Sequence, residues 1–338
     1  MATAVLFAIS PLVASGSLSN SALQGMLPFA GILAVAAIGQ TLVIQQGGLD
    51  LSVPGIFSLG AVLSVTIPGG QDGSLLPALL AVAGVGLAGG LLNGLAVTRF
   101  GITPLVATLG SNAIFIGVVI QVTGGSIAFK ATQNWQTFCA DKVLGVPILA
   151  VIAVVLTVLV ALFISRTIWG RRFVLVGSSP IAARAAGLSV EGYQLGAYAA
   201  AGLAYALAGA LLSGYLQSPS LLSGNEYLLP TIAAVVLGGT ALGGGRGSVI
   251  ATTVGVLFLS QLEQVISALG AKTSVDYLIQ GAIVALGMGL RNVPWRQILP
   301  GAGGSSDDVA LAGAGSISTD AAAAPPDPVL SDASRRNG

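Results

Sequence analysis

Long apolar runs separated by short polar breaks make up most of the sequence. A helix that spans a bilayer needs roughly 17 to 25 apolar residues, and nine of the runs are close to this length. A tenth run, at the start of the chain, is shorter. The ten segments are 3–14, 26–44, 51–68, 75–97, 103–123, 146–164, 193–217, 226–242, 248–269 and 275–290. We therefore predict an all-α fold, a polytopic bundle of about ten transmembrane helices of which the first is short.

The first segment has two interpretations. A secretory signal peptide also carries a short apolar core, but it begins with a positively charged region, and no Lys or Arg precedes Arg99. A short or truncated first span is the interpretation we favour, and a cleaved signal peptide is the alternative.

Composition supports membrane insertion and excludes several functions. Hydrophobic residues make up 54% of the chain and charged residues only 7%, whereas a soluble domain has about 25% charged residues. The net charge of +1 gives no reason to expect nucleic acid as a partner. Histidine is absent, and no nucleophile–base pair, metal site or carboxylate pair is evident. We therefore expect neither an enzyme nor a metal site.

The C-terminal region differs from the rest of the chain. Residues 301–338 are rich in Gly, Ala, Ser, Asp and Pro and show no apolar periodicity, which is typical of disorder. The prediction is a transmembrane domain over 1–300 and a disordered tail over 301–338.

Basic residues predict the orientation, because they concentrate on the cytoplasmic side of membrane proteins. If the segments alternate, Arg99, Arg166, Arg171, Arg172, Arg184, Arg246, Arg291 and Arg296 fall on one side, and Lys130, Lys142 and Lys272 on the other. Both termini are then expected in the cytoplasm.

A short capped helix is predicted within the longest polar stretch, 166–194. Ser179 is a good N-cap, Pro180 suits the first helical position, and Gly187 suits the left-handed position after the helix. The segment is Ser179, Pro180, Ile181, Ala182, Ala183, Arg184, Ala185, Ala186 and Gly187. Its small side chains leave a slim rod. From the residues alone, docking into another protein and lying on the membrane surface remain equally open.

Two glycine-rich turns stand out. In the first, Gly47 and Gly48 permit a sharp bend, and Asp50 and Ser52 can each cap the next helix. Asp50 is a functional candidate because it is ionisable at a membrane boundary, although a capping role is the interpretation we favour. The second turn, residues 238–248, contains Gly238, Gly239 and Thr240 and lacks the Gly-Lys-Ser/Thr ending of a nucleotide-binding P-loop. A tight turn or close helix packing is expected there.

Neutral polar residues within the apolar segments are candidates for a solute pathway, since amides and hydroxyls can hydrogen-bond an uncharged solute. They are Gln40, Thr41, Asn93, Asn112, Tyr198 and Thr231. The alternative is that they join helices to one another.

The motifs together resemble one family. They are GQTLVI at 39–44, GGLDLSV at 47–53, TPLVATLG at 103–110, GRR at 170–172, AARAAG at 182–187 and IAAVVLGGT at 232–240. In this order they resemble the permeases of ribose- and xylose-type ABC importers, which include permeases for other monosaccharides and for the autoinducer sugar.

This resemblance implies an ABC importer permease fold, a second permease chain, an ATPase subunit that binds the ATP, and an extracytoplasmic sugar-binding protein. It also implies that the segment 179–187 is the helix that couples to the ATPase. The expected function is import of a small, ribose- or xylose-like sugar across the bacterial cytoplasmic membrane by alternating access. The alternative is a secondary transporter or channel acting alone, which would require ion-coordinating groups at mid-membrane.

One departure from the family bears on the solute. Many members carry Glu-Leu-Asp where this chain has Leu228, Leu229 and Pro230, and Glu226 is out of register with them. The sugar therefore does not follow from the resemblance.

Overall fold

A computed structural model describes residues 2–270 and 273–292, and within these ranges the chain is almost entirely helical. The helices are α1 Ala2–Val13, α2 Asn20–Gln45, α3 Val53–Thr66, α4 Leu75–Thr98, α5 Pro104–Thr123, α6 Gln133–Ala140, α7 Ile148–Arg166, α8 Ile168–Ser178, α9 Pro180–Ala185, α10 Val190–Leu216, α11 Asn225–Leu237, α12 Val249–Ala268 and α13 Thr273–Asn292. A 3-10 turn, Asp72–Ser74, precedes α4, and strands β1 Lys142–Val143 and β2 Val146–Pro147 form an antiparallel hairpin.

Each of the ten predicted segments contains a helix, which confirms the all-α membrane bundle. Among the described residues, six helices are long and apolar enough to cross a membrane: α2, α4 with its preceding 3-10 turn, α5, α7, α10 and α12. Two segments predicted as spans form shorter helices, since α3 has 14 residues and α11 has 13. At 1.5 Å per residue both reach only about 20 Å, less than the hydrocarbon core of about 30 Å.

The centre of the bundle is formed by α2 and α10, against which α3, α4, α7, α11 and α12 pack. In the apolar stretch of α2, 83% of the residues are buried, compared with 17% in α5 and in α7. Large apolar side chains on α5 and α7, such as Ile114 and Leu159, are exposed. These two helices therefore present their sides to lipid or to another chain, while α2 is a core helix.

Small residues allow α4 and α10 to approach closely. A methyl group added at Gly90 would overlap the backbone of Tyr198, and one added at Gly202 would overlap the backbone of Gly86. In a membrane, where lipid competes for apolar surface, close backbone contact of this kind is a main source of helix association. The glycines thus set the crossing on which the core depends.

The two short helices meet at their N-termini. The backbone N–H of Gly224, just before α11, donates to the Ser58 hydroxyl of α3 at 2.9 Å. The rings of Phe57 and Tyr227 stack with their centroids 4.4 Å apart. After α10 ends at Leu216, the chain therefore turns back into the bundle before α11 begins.

We call the two ends of the bundle the inner end and the outer end and define each by the elements that lie there. The inner end carries α8 and α9, and the outer end carries the β-hairpin, whose Gly145 carbonyl accepts from Gln24 Nε2 near the start of α2 at 2.7 Å. The chain order places the arginines that end or follow α4 and α7 at the inner end, and Lys130 and Lys142 at the outer end. Lys272, Arg296 and the predicted tail 301–338 lie outside the described residues, as does the side chain of Arg291.

Candidate functional site

The helix predicted within 179–187 is present as α9 at the inner end. The Ser179 hydroxyl accepts from Ala182 N at 3.3 Å, Pro180 occupies the first turn, and Gly187 has a φ of +74°. After the helix, Leu188 N donates to Ala183 O at 3.0 Å. These contacts satisfy backbone groups at both helix ends, so a helix of only six residues is held in place.

The outward side of α9 is exposed and partly apolar. Ile181 is 81% exposed, and Ala182, Ala185 and Ala186 are exposed as well. The opposite side is anchored, because Ala183 is buried in a small cluster with Val176 of α8 and Val190 of α10. A movement of α9 would therefore be transmitted to α8 and α10.

The two glycine-rich turns, 191 residues apart in sequence, contact each other at the inner end. The backbone N–H of Gly245 donates to the Gln45 carbonyl at 2.8 Å, and a methyl group added at Gly47 would lie 3.7 Å from the Gly243 carbonyl. Helix α8 packs on the same point, since a methyl group at Gly177 would overlap that Gln45 carbonyl. We call this contact of residues 45–48, 243–245 and 177 the inner junction. It connects α2 and the segment before α12 to the helix that leads into α9.

Asp50 and Ser52 form a buried polar centre. One carboxylate oxygen of Asp50 accepts from the backbone N–H of Ser52 at 2.8 Å and from its hydroxyl at 2.6 Å. The Ser52 hydroxyl in turn accepts from Asn93 Nδ2 at 2.7 Å. Both residues precede α3, but the structure shows no bond from the Ser52 side chain to the first turn of that helix. Through the bond from Asn93, Asp50 and Ser52 connect the start of α3 to α4.

The remaining residues of the second turn are placed by packing. A methyl group at Gly238 would lie 2.7 Å from the backbone nitrogen of Thr252 on α12, and Gly239 has a φ of +75°. Thr240 is buried. The turn is therefore tight and closely packed, as its sequence predicts.

The predicted pathway residues make contacts within and between helices. Gln40 Oε1 accepts from the Tyr205 hydroxyl at 2.7 Å, and the Thr41 hydroxyl lies 3.0 Å from that of Thr252. Asn112 Oδ1 accepts from the backbone N–H of Gly55 at 2.8 Å.

The last two predicted pathway residues are Thr231 and Tyr198. The Thr231 hydroxyl donates to the Leu228 carbonyl at 2.8 Å. Tyr198 is buried, with its hydroxyl against Gly48. The bonds of Gln40, Thr41, Asn93 and Asn112 to other elements favour the helix-joining alternative for these four residues. A role in solute passage stays a prediction.

A cavity of about 600 Å³ lies at the outer end, between α2, α10, α11, α12 and α13. We call it the outer cavity. It extends inward to Leu33, about halfway along α2. Polar and aromatic groups line it together with apolar side chains: Phe29, Ser218, Ser220, Ser223, Glu226, Tyr227, Ser260, Glu263, Tyr277 and Gln280.

Two acids that are far apart in sequence, Glu226 and Glu263, both line this cavity. They are 37 positions apart, and the fold brings the first turn of α11 beside the second half of α12. In the sequence, Glu226 is an acid at the start of an apolar run. That it shares a cavity with Glu263 depends on how the helices pack. The outer cavity is therefore the feature that the sequence did not reveal.

Comparison with known proteins identifies the family. A family model described as "Branched-chain amino acid transport system / permease component" matches residues 22–287. The ribose import permease protein RbsC of Bacillus subtilis is 32% identical over 82% of this chain and 84% of its own length. The autoinducer 2 import system permease protein LsrD of an Enterobacter species is 33% identical over 75% of this chain and 79% of its own length.

A third relative extends the comparison. The probable ABC transporter permease protein y4mJ of Sinorhizobium fredii is 34% identical over 75% of each chain. No solved structure matches the chain. Family members are permease components of transporters, which are not enzymes. The chain accordingly belongs to the family of ABC transporter permeases that includes the ribose and autoinducer 2 import permeases, and it is a multi-pass membrane protein.

Proposed function

We propose that this chain is the membrane-spanning subunit of an ATP-driven importer of a small, ribose- or xylose-like sugar. The relatives named for ribose and autoinducer 2 import support a sugar as the solute. The importer is placed in the bacterial cytoplasmic membrane with α9 and both termini in the cytoplasm. The excess of arginine at the inner end supports this orientation.

The observation that carries the proposal is the arrangement of α9. It is a capped, slim helix with an exposed apolar tip, Ile181, at the arginine-rich end. A slim helix with an exposed apolar side chain can enter an apolar groove on another protein. The partner that fits is the ATPase subunit, because α9 connects through α8 to the inner junction and hence to core helix α2.

Transport follows as a shift between two conformations. Binding of ATP by the partner ATPases displaces α9, and α8 and α10 carry the displacement to the inner junction. A second permease chain completes the pore, and a sugar-binding protein delivers the solute at the outer end. The permease itself makes and breaks no covalent bond.

The test replaces the exposed tip of α9. The complex of this chain with its ATPase and sugar-binding protein would be reconstituted in vesicles, and uptake of radiolabelled D-ribose and D-xylose measured. Truncating a central interface residue costs about 2 kcal/mol or more, so Ile181→Asp is expected to lower ATP-driven uptake at least tenfold.

The matched control is Ile181→Leu, which keeps an apolar side chain at this position, where Ile181 is 81% exposed. This variant should transport normally. Unchanged uptake by Ile181→Asp, with equal protein in the membrane, contradicts docking through α9. Uptake by the chain without any ATPase supports the stand-alone transporter instead.

A further inference from the structure

A groove of about 820 Å³ lies at the inner end, between α2, α7, α8 and α10. We call it the inner groove. It is lined by apolar side chains and by small residues of α10, among them Phe163, Trp169, Phe173, Gly196 and Ala200. Trp169 is 63% exposed and Phe163 51%, so the groove opens at the side of the bundle. An apolar opening in the side of a membrane protein faces lipid acyl chains and not water.

Aromatic side chains mark the level of the membrane surface at this groove. Trp169 and Tyr193 both line it, and their ring centroids are 6.4 Å apart. Trp and Tyr are enriched where the hydrocarbon meets the headgroups, because their rings are amphipathic. At the same level, α7 ends at Arg166 and α8 begins at Ile168. The inner groove therefore extends from the hydrocarbon to the depth of the lipid headgroups.

Three arginines stand where a headgroup would lie. Residues three apart are neighbours on a helix surface, so Arg166 lies one turn beyond Phe163 on α7, and Arg172 lies one turn beyond Trp169 on α8. Both are exposed, and so is Arg171. A guanidinium group binds phosphate through two parallel hydrogen bonds, and basic pockets between membrane helices bind anionic headgroups.

The acid that lies closest in sequence to the groove lining is already bonded to another arginine. Glu191 is in the first turn of α10, and its carboxylate accepts from Arg184 Nη2 at 2.8 Å. Within the part of the chain that the structure describes, no acid pairs with Arg166, Arg171 or Arg172. Their positive charge complements a phosphate group.

We propose that the inner groove binds a phospholipid with an anionic headgroup. An acyl chain lies between α7, α8 and α10, and the phosphate lies at Arg166, Arg171 and Arg172. The groove selects for an acyl chain and the arginines select for negative charge, so the site takes a lipid and not a free phosphate. The inference rests on the insertion of the bundle in a membrane and not on the transported solute.

The test uses the fluorescence of Trp169 in the full chain, placed in lipid nanodiscs. Bromine atoms quench a tryptophan that they contact. Anionic phosphatidylglycerol and zwitterionic phosphatidylcholine, each brominated near the headgroup end of its acyl chains, would be compared at equal mole fraction. The signal of Trp169 is the difference between the original chain and Trp169→Phe. We expect phosphatidylglycerol to bind about fivefold more strongly, the factor that one basic residue contributes near an anionic membrane surface.

Neutral side chains at the three arginines test the headgroup contact. In the triple variant Arg166→Gln, Arg171→Gln, Arg172→Gln, the two lipids should quench to within about twofold of each other. The matched control is Lys130→Gln with Lys142→Gln at the outer end, which should keep the preference. Equal quenching by both lipids in the original chain, or a preference that survives the triple substitution, would overturn the site. A preference that appears only after deletion of residues 301–338 would assign the arginines to another occupant and contradict it as well.

Filling the groove tests the acyl chain. Gly196→Leu narrows the inner groove, and Gly110→Leu on α5 is the matched control, because no atom lies within 4 Å of a methyl group added at either glycine. Quenching of Trp169 by brominated phosphatidylglycerol should fall in Gly196→Leu and stay unchanged in Gly110→Leu. Unchanged quenching in both variants would place the lipid outside the groove.

Glycerol phosphate, a headgroup without acyl chains, distinguishes a lipid site from a phosphate site. Added in solution, it should leave the quenching by phosphatidylglycerol unchanged. Effective competition by glycerol phosphate would show that the arginines bind the phosphate alone and would overturn the lipid site. These measurements use neither ATP nor sugar, so their failure is distinct from failure of the uptake experiment with Ile181→Asp.

Discussion

The bundle contains two large cavities near its opposite ends, and their linings differ. The outer cavity is bordered by carboxylates, hydroxyls and an amide. The inner groove, which is larger at about 820 Å³, is bordered mainly by apolar side chains such as Phe163, Trp169 and Phe173. In a bilayer such a groove is readily filled by acyl chains, whereas a polar cavity favours water and polar solutes. Cavity size alone therefore does not indicate a solute site; the chemistry of the lining does.

The packing behind the two cavities also differs. Beside the inner groove, the inner junction is closed by glycines whose backbones touch. At the outer end, larger side chains on five helices leave a space that reaches half the depth of α2. The difference shows that the inner end is closely packed, whereas the outer end contains an open space with a partly polar lining.

The largest effect is expected from opening the inner junction. Gly177→Val would place a side chain against the Gln45 carbonyl, and overpacking of this kind costs about 3 kcal/mol. The melting temperature of the purified chain in detergent should fall sharply. Gly110→Val is the matched control, because no atom lies within 4 Å of a methyl group added there. Equal melting temperatures for the two variants would contradict the close packing of the inner junction.

A smaller effect is expected from filling one cavity at a time. Ser260→Leu narrows the outer cavity, and Ala200→Leu narrows the inner groove. Misfit by one or a few methyl groups in a site costs about tenfold or more in rate. Sugar uptake in reconstituted vesicles should therefore fall about tenfold for Ser260→Leu and stay near normal for Ala200→Leu. The reverse order would place the solute route at the inner groove.

The smallest effect is expected from neutralising the buried acid of the inner half. In Asp50→Asn the side-chain oxygen can still accept both bonds from Ser52, so melting temperature and uptake should change little. Asp50→Ala, which loses both bonds, should cost about 2 kcal/mol. If Asp50→Asn abolishes uptake at an unchanged melting temperature, the charge of Asp50 has a role in transport.

Several features of the fold could be read from local sequence. The apolar runs predicted every membrane helix, because a bilayer imposes length and composition on each segment separately. Ser179, Pro180 and Gly187 predicted α9 for a similar reason, since caps act within one turn of a helix. The short length of α3 and α11 was not predicted, because a buried helix can be apolar without spanning the bilayer.

The functional groups were harder to assign. Gln40 and Asn112 were selected as polar residues in apolar segments, but their hydrogen-bond partners on other helices lie far away in sequence. Without those partners, a residue that joins helices looks the same as one that contacts a solute. Glu226 and Glu263 illustrate the opposite case. Neither stands out in the sequence, and they come to line one cavity only because α11 packs against α12.

By itself the sequence determined that the chain is a helical membrane protein, where its apolar segments lie, and which family it resembles, because these properties depend on residues close together in the chain. Only the tertiary structure decided which helices form the core, that the two glycine-rich turns touch, and that two acids share a cavity. Those properties depend on contacts between helices far apart in sequence, and shape as well as hydrophobicity decides such contacts.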